Sequence, residues 1–209
     1  MLFDIQFPIK HITLNLLCLS AFFYTSSCFS QDSAVVHRWK GSVVVNGKKI
    51  QSNGSKIPEG ATIEAQADGS FIDLKLADQS LVRLVHGKVR ADNLSSSKNI
   101  FTLLSGKLYS YIQKTARPDS FMVHTKTAVM GVRGTKFVVE ESTEKSYLCV
   151  CEGLVHVSKK DKAKSFVDVA MHEDLDIVLG KELNKPKESK MMSSMAEDVF
   201  KDMLLPVAP

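Results

Sequence analysis

From Val35 onward the chain alternates apolar and polar residues in short runs, with a turn signal about every ten residues. Strand geometry explains the pattern: successive side chains point to opposite faces, so a strand with one buried face repeats with a period of two. Helical spacing between the runs is missing, which excludes the rhythm of strand, helix and parallel strand. An all-β fold follows, its antiparallel twisted sheets arranged as a sandwich or a solenoid-like roll, with a short C-terminal helix.

Individual runs can be placed. Val43-Val44-Val45 ends at Asn46-Gly47, a pair that accepts positive φ at both central turn positions and so predicts a tight hairpin. Ile72, Leu74 and Leu76 share one face of a strand, leaving Asp73 and Lys75 on the other. The polar stretch 92–99 reads as an exposed loop. Glu152-Gly153 reads as a hairpin turn joining strands 147–150 and 154–157, and strands 166–170 and 175–179 read as a last pair.

The ends differ in composition from this β region, which is taken as residues 35–180. Lys10 and His11 precede thirteen apolar or small residues, 12–24, and then Thr25, Ser26 and Ser27. That order is a secretory signal, shorter than the roughly 20 apolar residues of a membrane span. Residues 1–30 are therefore expected to be a signal peptide cleaved near Ser30-Gln31, delivering a periplasmic or secreted protein. Two alternatives keep the chain on a membrane: lipidation at Cys28, or an uncleaved N-terminal segment. Residues 181–209 read as a linker and an amphipathic helix, with Met191, Met192, Met195, Ala196, Val199, Phe200 and Met203 at helical spacing.

Several functions are disfavoured by what the chain contains. Its 27 basic and 23 acidic residues are interspersed, without the basic block or aromatic interleaving of a nucleic-acid binder. No nucleophile elbow, phosphate loop, dinucleotide fingerprint or metal-ligand histidine spacing occurs, so no catalytic, cofactor-binding or metal-binding residue is assigned and no cofactor is expected. Beyond the signal only Cys149 and Cys151 remain, as Cys-x-Cys on one strand. Same-face neighbours lie about 6.5 to 7 Å apart, long for a disulfide, so they read first as small core residues and second as a redox or metal pair.

A series of short motifs gives the chain a resemblance. Gly41-Ser42-Val43, Glu59-Gly60, Gly69-Ser70, Leu103-Leu104-Ser105-Gly106-Lys107-Leu108, Val132-Arg133-Gly134-Thr135-Lys136-Phe137 and Cys151-Glu152-Gly153-Leu154-Val155 follow in an order that resembles a FecR domain over residues 41–157. The resemblance implies an exported β module that binds or senses, or serves in assembly of the cell envelope. Full-length signalling members place an anti-sigma segment and a membrane span before this domain. Only eleven residues precede the apolar run here, so the resemblance is to the periplasmic domain without the anti-sigma region.

Gly106, Arg133, Gly134, Thr135, Phe137, Glu152 and Gly153 are the motif residues expected to matter, as architecture or as partner contacts. The glycines suit turns or close backbone approach, and the Arg133 fork suits carbonyls or a carboxylate. The expected partner is an envelope protein, for instance an outer-membrane receptor, or a glycan. The alternative functions are a polysaccharide- or cell-wall-binding module and a membrane-anchored signal-transduction regulator.

Overall fold

The computed structural model describes residues 34–95, 97–114, 120–161, 164–189 and 192–206, so the expected signal peptide and the tail beyond Pro206 lie outside the described residues. Strands β1 (Ala34–Lys40), β2 (Val43–Val45), β3 (Lys48–Lys49), β4 (Thr62–Ala65) and β5 (Phe71–Leu76) lead into two long strands, β6 (Leu81–Leu94) and β7 (Asn99–Tyr111). Then come β8 (Phe121–His124), β9 (Ala128–Val132), β10 (Lys136–Glu141), β11 (Lys145–Glu152), β12 (Leu154–Lys159), β13 (Phe166–Ala170), β14 (Glu173–Val178), β15 (Lys187–Glu188) and one helix, α1 (Met192–Met203). The fifteen strands form one open sheet, antiparallel except where β7 meets β8.

Because β6 and β7 are long, the sheet folds across them. Their one half pairs with β5 and β10, continuing to β1 on one side and to β11, β14 and β15 on the other. The other half pairs with β4 and β8, continuing to β2 and β3 and to β9, β12 and β13. The two halves share one hydrophobic core, in which Phe101, Phe121 and Phe137 stack with centroids 5.6 and 6.2 Å apart. Fully burying each aromatic side chain contributes about 1.5–3 kcal/mol.

The fold line is written in backbone geometry. In β6 the inward residues are Val82 and Leu84 before the bend and Val89 and Ala91 after it, so their parity flips, and the pairing with β7 is irregular between Val85 and Val89. At the bend His86 and Gly106 have φ of 39° and 86°. A Cβ on Gly87 would stand 2.1 Å from the Ser105 carbonyl oxygen, and one on Gly106 would stand 2.3 Å from that of His86. The two chains cross there only because both are glycine. Gly41 and Ser70 continue the same corner, with the Ser42 N–H donating to Ser70 Oγ at 3.0 Å and the His86 N–H to the Ser70 carbonyl at 3.1 Å.

The opposite corner is made by three successive crossings, at 133–135, 152–153 and 171–172. Two expected hairpins are corrected by it. β11 pairs with β10 and β14, whereas β12 pairs with β9 and β13, so Glu152-Gly153 carries the chain from one half to the other and is not a hairpin turn. β13 and β14 likewise pair with different partners and not with each other. A tight hairpin of the Asn-Gly kind needs positive φ at both central residues, which Asn46 and Gly47 have (49° and 76°) and which Gly153 has without Glu152. The result is a flattened roll whose hairpins alternate between the two halves.

Two further expectations change. The 92–99 stretch is half strand, since β6 runs to Leu94 and β7 begins at Asn99, so the expected loop shrinks to a turn closed by the Ser95 N–H on the Lys98 carbonyl at 3.0 Å. The segment taken as a linker contributes β15, which pairs with β14 through Glu173–Glu188 and Asp174–Lys187. β15 is polar because its strand is exposed, and in 92–99 the polar residues conceal strand ends whose Leu94 and Asn99 are buried. No helix among the described residues is long and apolar enough to cross a membrane.

Candidate functional site: a glycine corner and a helix-covered sheet face

The roll brings the most distinctive motifs together. Gly134 (φ 61°) opens β10 so close to the end of β7 that a Cβ would meet Lys114 Cγ at 2.4 Å, and a Cβ on Gly153 (φ 91°) would meet Thr135 Cγ2 at 2.6 Å and the Gly134 oxygen at 2.9 Å. Stacking of the two crossings thus explains why an Arg-Gly-Thr and a Glu-Gly occur in one chain. Beside them lies a cleft of about 260 Å³ lined by Tyr111, Gln113, Lys114, Thr135, Lys136 and Glu152 among others.

Its chemistry is that of a polar binding corner. Lys136 Nζ is 2.7 Å from Glu152 Oε2 and 5.4 Å from the Tyr111 ring centroid. The hydrogen bond from Lys136 holds the Glu152 carboxyl below its ordinary range, and the same bond raises Lys136, so both stay charged at neutral pH. Thr135 is buried, and among the described residues its Oγ1 has no hydrogen-bond partner. Such a set can bind and orient. Glu152, held ionised by its lysine, is poorly placed to exchange protons.

The other motif residues lie elsewhere. Arg133 is exposed beside the corner, Phe137 is fully buried in the aromatic core, and Gly106 sits on the opposite fold line. Glu59 accepts a hydrogen bond from the Leu94 N–H at 3.3 Å, and the Gly60 N–H donates to the Ala91 carbonyl at 2.7 Å, so that motif ties a bend to β6.

A second constellation escaped the sequence. Across the outer face of one half runs a row of registered residues, Arg38, Asp73, Arg83, Tyr109, Val138, Cys149 and Asp174. α1 lies over this face, packing Ala196, Phe200 and Met203 against Leu81 and Val138, with Phe200 edge-on to Tyr109 at 6.0 Å. Asp73, expected on a polar face, is completely buried and takes a two-pronged contact from Arg83 at 2.5 and 2.7 Å. Arg38 joins them at 3.1 Å, and Asp202 of α1 meets Arg83 at 2.7 Å and Arg38 at 2.9 Å. Burial raises the Asp202 carboxyl, but the two guanidiniums outweigh it and the net shift is downward. The only signal for this site was Asp73 standing among apolar neighbours.

The fold and its corners define an open all-β roll with a polar cleft at one corner. Residues 61–156 match the family model described as FecR protein, and the chain is a FecR-domain protein. The matched span begins later than the 41–157 read from motifs, although Gly41 and Glu59-Gly60 occupy structural corners outside it. Two crystal structures of a protein from Parabacteroides distasonis ATCC 8503, provisionally described as an anti-sigma factor, share the fold with TM-scores of 0.53. One is 20% identical, covering 63% of this chain and 61% of that one; the other is 19% identical, covering 64% and 63%. The chain thus spans less than two thirds of those proteins. No match was found among curated proteins.

Proposed function

We propose that this FecR-domain chain is a non-catalytic, exported module of the bacterial cell envelope that relays a signal by docking a partner protein. The FecR match over residues 61–156 carries the reading, and the provisional anti-sigma description of the fold neighbours agrees with a place in signal transduction. A cleft whose Lys136–Glu152 charges neutralise each other supports binding over chemistry.

The two halves differ in a way that points to the docking surface. One outer face carries α1, while the outer face of the other holds Leu104, Leu154 and Phe166 at 45%, 50% and 65% exposure. Among the described residues β13 pairs only with β12, so its free edge can accept an extended segment of a partner while Leu154 and Phe166 supply apolar contacts. His156 stacks on Phe166 at 5.2 Å and pairs with Asp168 at 2.7 Å, holding that surface in shape.

Affinity capture from envelope extracts with the tagged full chain tests this reading. A partner recovered with the native chain and lost with Leu154→Asp/Phe166→Asp, while circular dichroism is unchanged, is the expected outcome; recovery of none, or equal recovery with the variant, would sink it. Mass spectrometry of the envelope-localised protein reads the export step separately. A terminus at Gln31 is expected, and an intact Met1 overturns cleavage.

A further inference from the structure

Cys149 and Cys151 are consecutive same-face residues of β11, on the outer face next to the start of α1. Cys149 is buried with Sγ 3.6 Å from Ser189 Oγ, and Cys151 is half-buried against the helix-side cluster. Both thiols are free, with no disulfide between them.

We propose that Cys149 and Cys151 form a two-sulfur site for a soft monovalent metal ion of the Cu(I) or Ag(I) class. Strand geometry separates this from a disulfide. Same-face neighbours stand about 6.5–7 Å apart with nearly parallel side chains, whereas a disulfide needs Cβ atoms about 3.5–4.5 Å apart and would have to buckle β11 in mid-sheet. An ion bound at about 2.3 Å from each sulfur bridges roughly 4.5 Å and leaves the strand in register.

The donor set argues the same way. Among the described residues no group of three or more His, Cys, Asp or Glu side chains converges, so an ion that requires three or four protein ligands lacks them here. A two-coordinate soft cation needs only the two thiolates, and thiolate sulfur selects Cu(I) over harder ions. Binding one monovalent ion releases the two thiol protons and leaves a net single negative charge on the pair, which Lys136 faces with positive charge and Glu197 and Asp174 with negative charge. Cys149 is buried beside Ser189 and Cys151 is half-buried beside α1, so an ion would enter from the Cys151 side.

Anaerobic titration of the reduced full chain with Cu(I) held by bicinchoninate tests the site. Withdrawal of one ion per chain from the competitor is expected, with loss of that capture in Cys149→Ser and in Cys151→Ser and its retention in Cys18→Ser/Cys28→Ser. Thermal melting of each metal-free variant confirms that β11 and α1 still fold. No withdrawal from the competitor overturns the site, as does capture that survives in the Cys149→Ser/Cys151→Ser protein. Loss of two thiol hydrogens by mass without retained metal would identify a redox pair instead and overturn it equally.

Discussion

Asp73 is the residue on which the covered sheet face turns. Its carboxylate is fully buried between Arg83 and Arg38, and only this pairing makes burial of the charges tolerable. Asp73→Ala should cost about 3 kcal/mol in urea denaturation by removing the buried carboxylate and leaving Arg83 only the part-exposed Asp202, and Asp73→Leu/Arg83→Leu should recover a large part of that loss. Glu141 is the contrasting case. Burial pushes its carboxyl above the ordinary 4.5, although Ser146 donates to it at 2.5 Å and Lys126 lies near. A carboxyl raised in the folded state contributes its stability below the unfolded value and loses it as pH rises through the folded one. Glu141→Gln should therefore raise the melting temperature near neutral pH and lose that advantage near pH 4, seen in paired melts across the range. Alternation places both carboxyls on a strand, but it cannot say that Asp73 shares its two arginines with Asp202, 129 positions downstream, or that Glu141 is buried.

At the scale of elements, the bend of β6 and β7 and the seat of α1 decide the architecture. Gly87→Ala puts a Cβ against a backbone oxygen that cannot move without breaking the β6–β7 ladder, so it should cost several kcal/mol and reduce the yield of folded protein. Gly47→Ala, with open space around its Cβ, should cost only the roughly 1 kcal/mol of its positive φ; side-by-side denaturation curves give the comparison. α1 is held by apolar contacts and by Asp202. Because Asp202 is partly exposed, Asp202→Asn should weaken docking by about 1 kcal/mol, detectable as faster hydrogen exchange in α1 with little change in the core strands. The depressed Asp202 carboxyl contributes above its unfolded value near 3.8, so wild-type α1 should loosen as pH falls below that point. The amphipathic pattern made α1 legible from its Met, Val and Phe spacing, whereas β15 was hidden by its two charged residues.

At the scale of the whole molecule, the described residues form one sheet folded around one main core, and that folding is where reading the sequence stops. Period-two alternation, the Asn-Gly hairpin, the C-terminal helix and the ordered FecR motifs all follow from local rules: side-chain direction in a strand, positive φ at a turn, the spacing of a helix face. Pairing follows none of these. A strand ending at Glu152-Gly153 has the same alternation whether it turns back on itself or crosses to the other half, and the choice depends on Thr135 and Gly134 lying beneath Gly153. The cleft, the Arg38–Asp73–Arg83–Asp202 network and the adjacency of both thiols to the helix start likewise exist only after distant segments meet. The sequence by itself determined the element types, the β class and the family, because these depend on near neighbours along the chain. Tertiary structure alone decided which strands pair and which polar groups are buried, because those energies arise between residues that the backbone brings together only on folding.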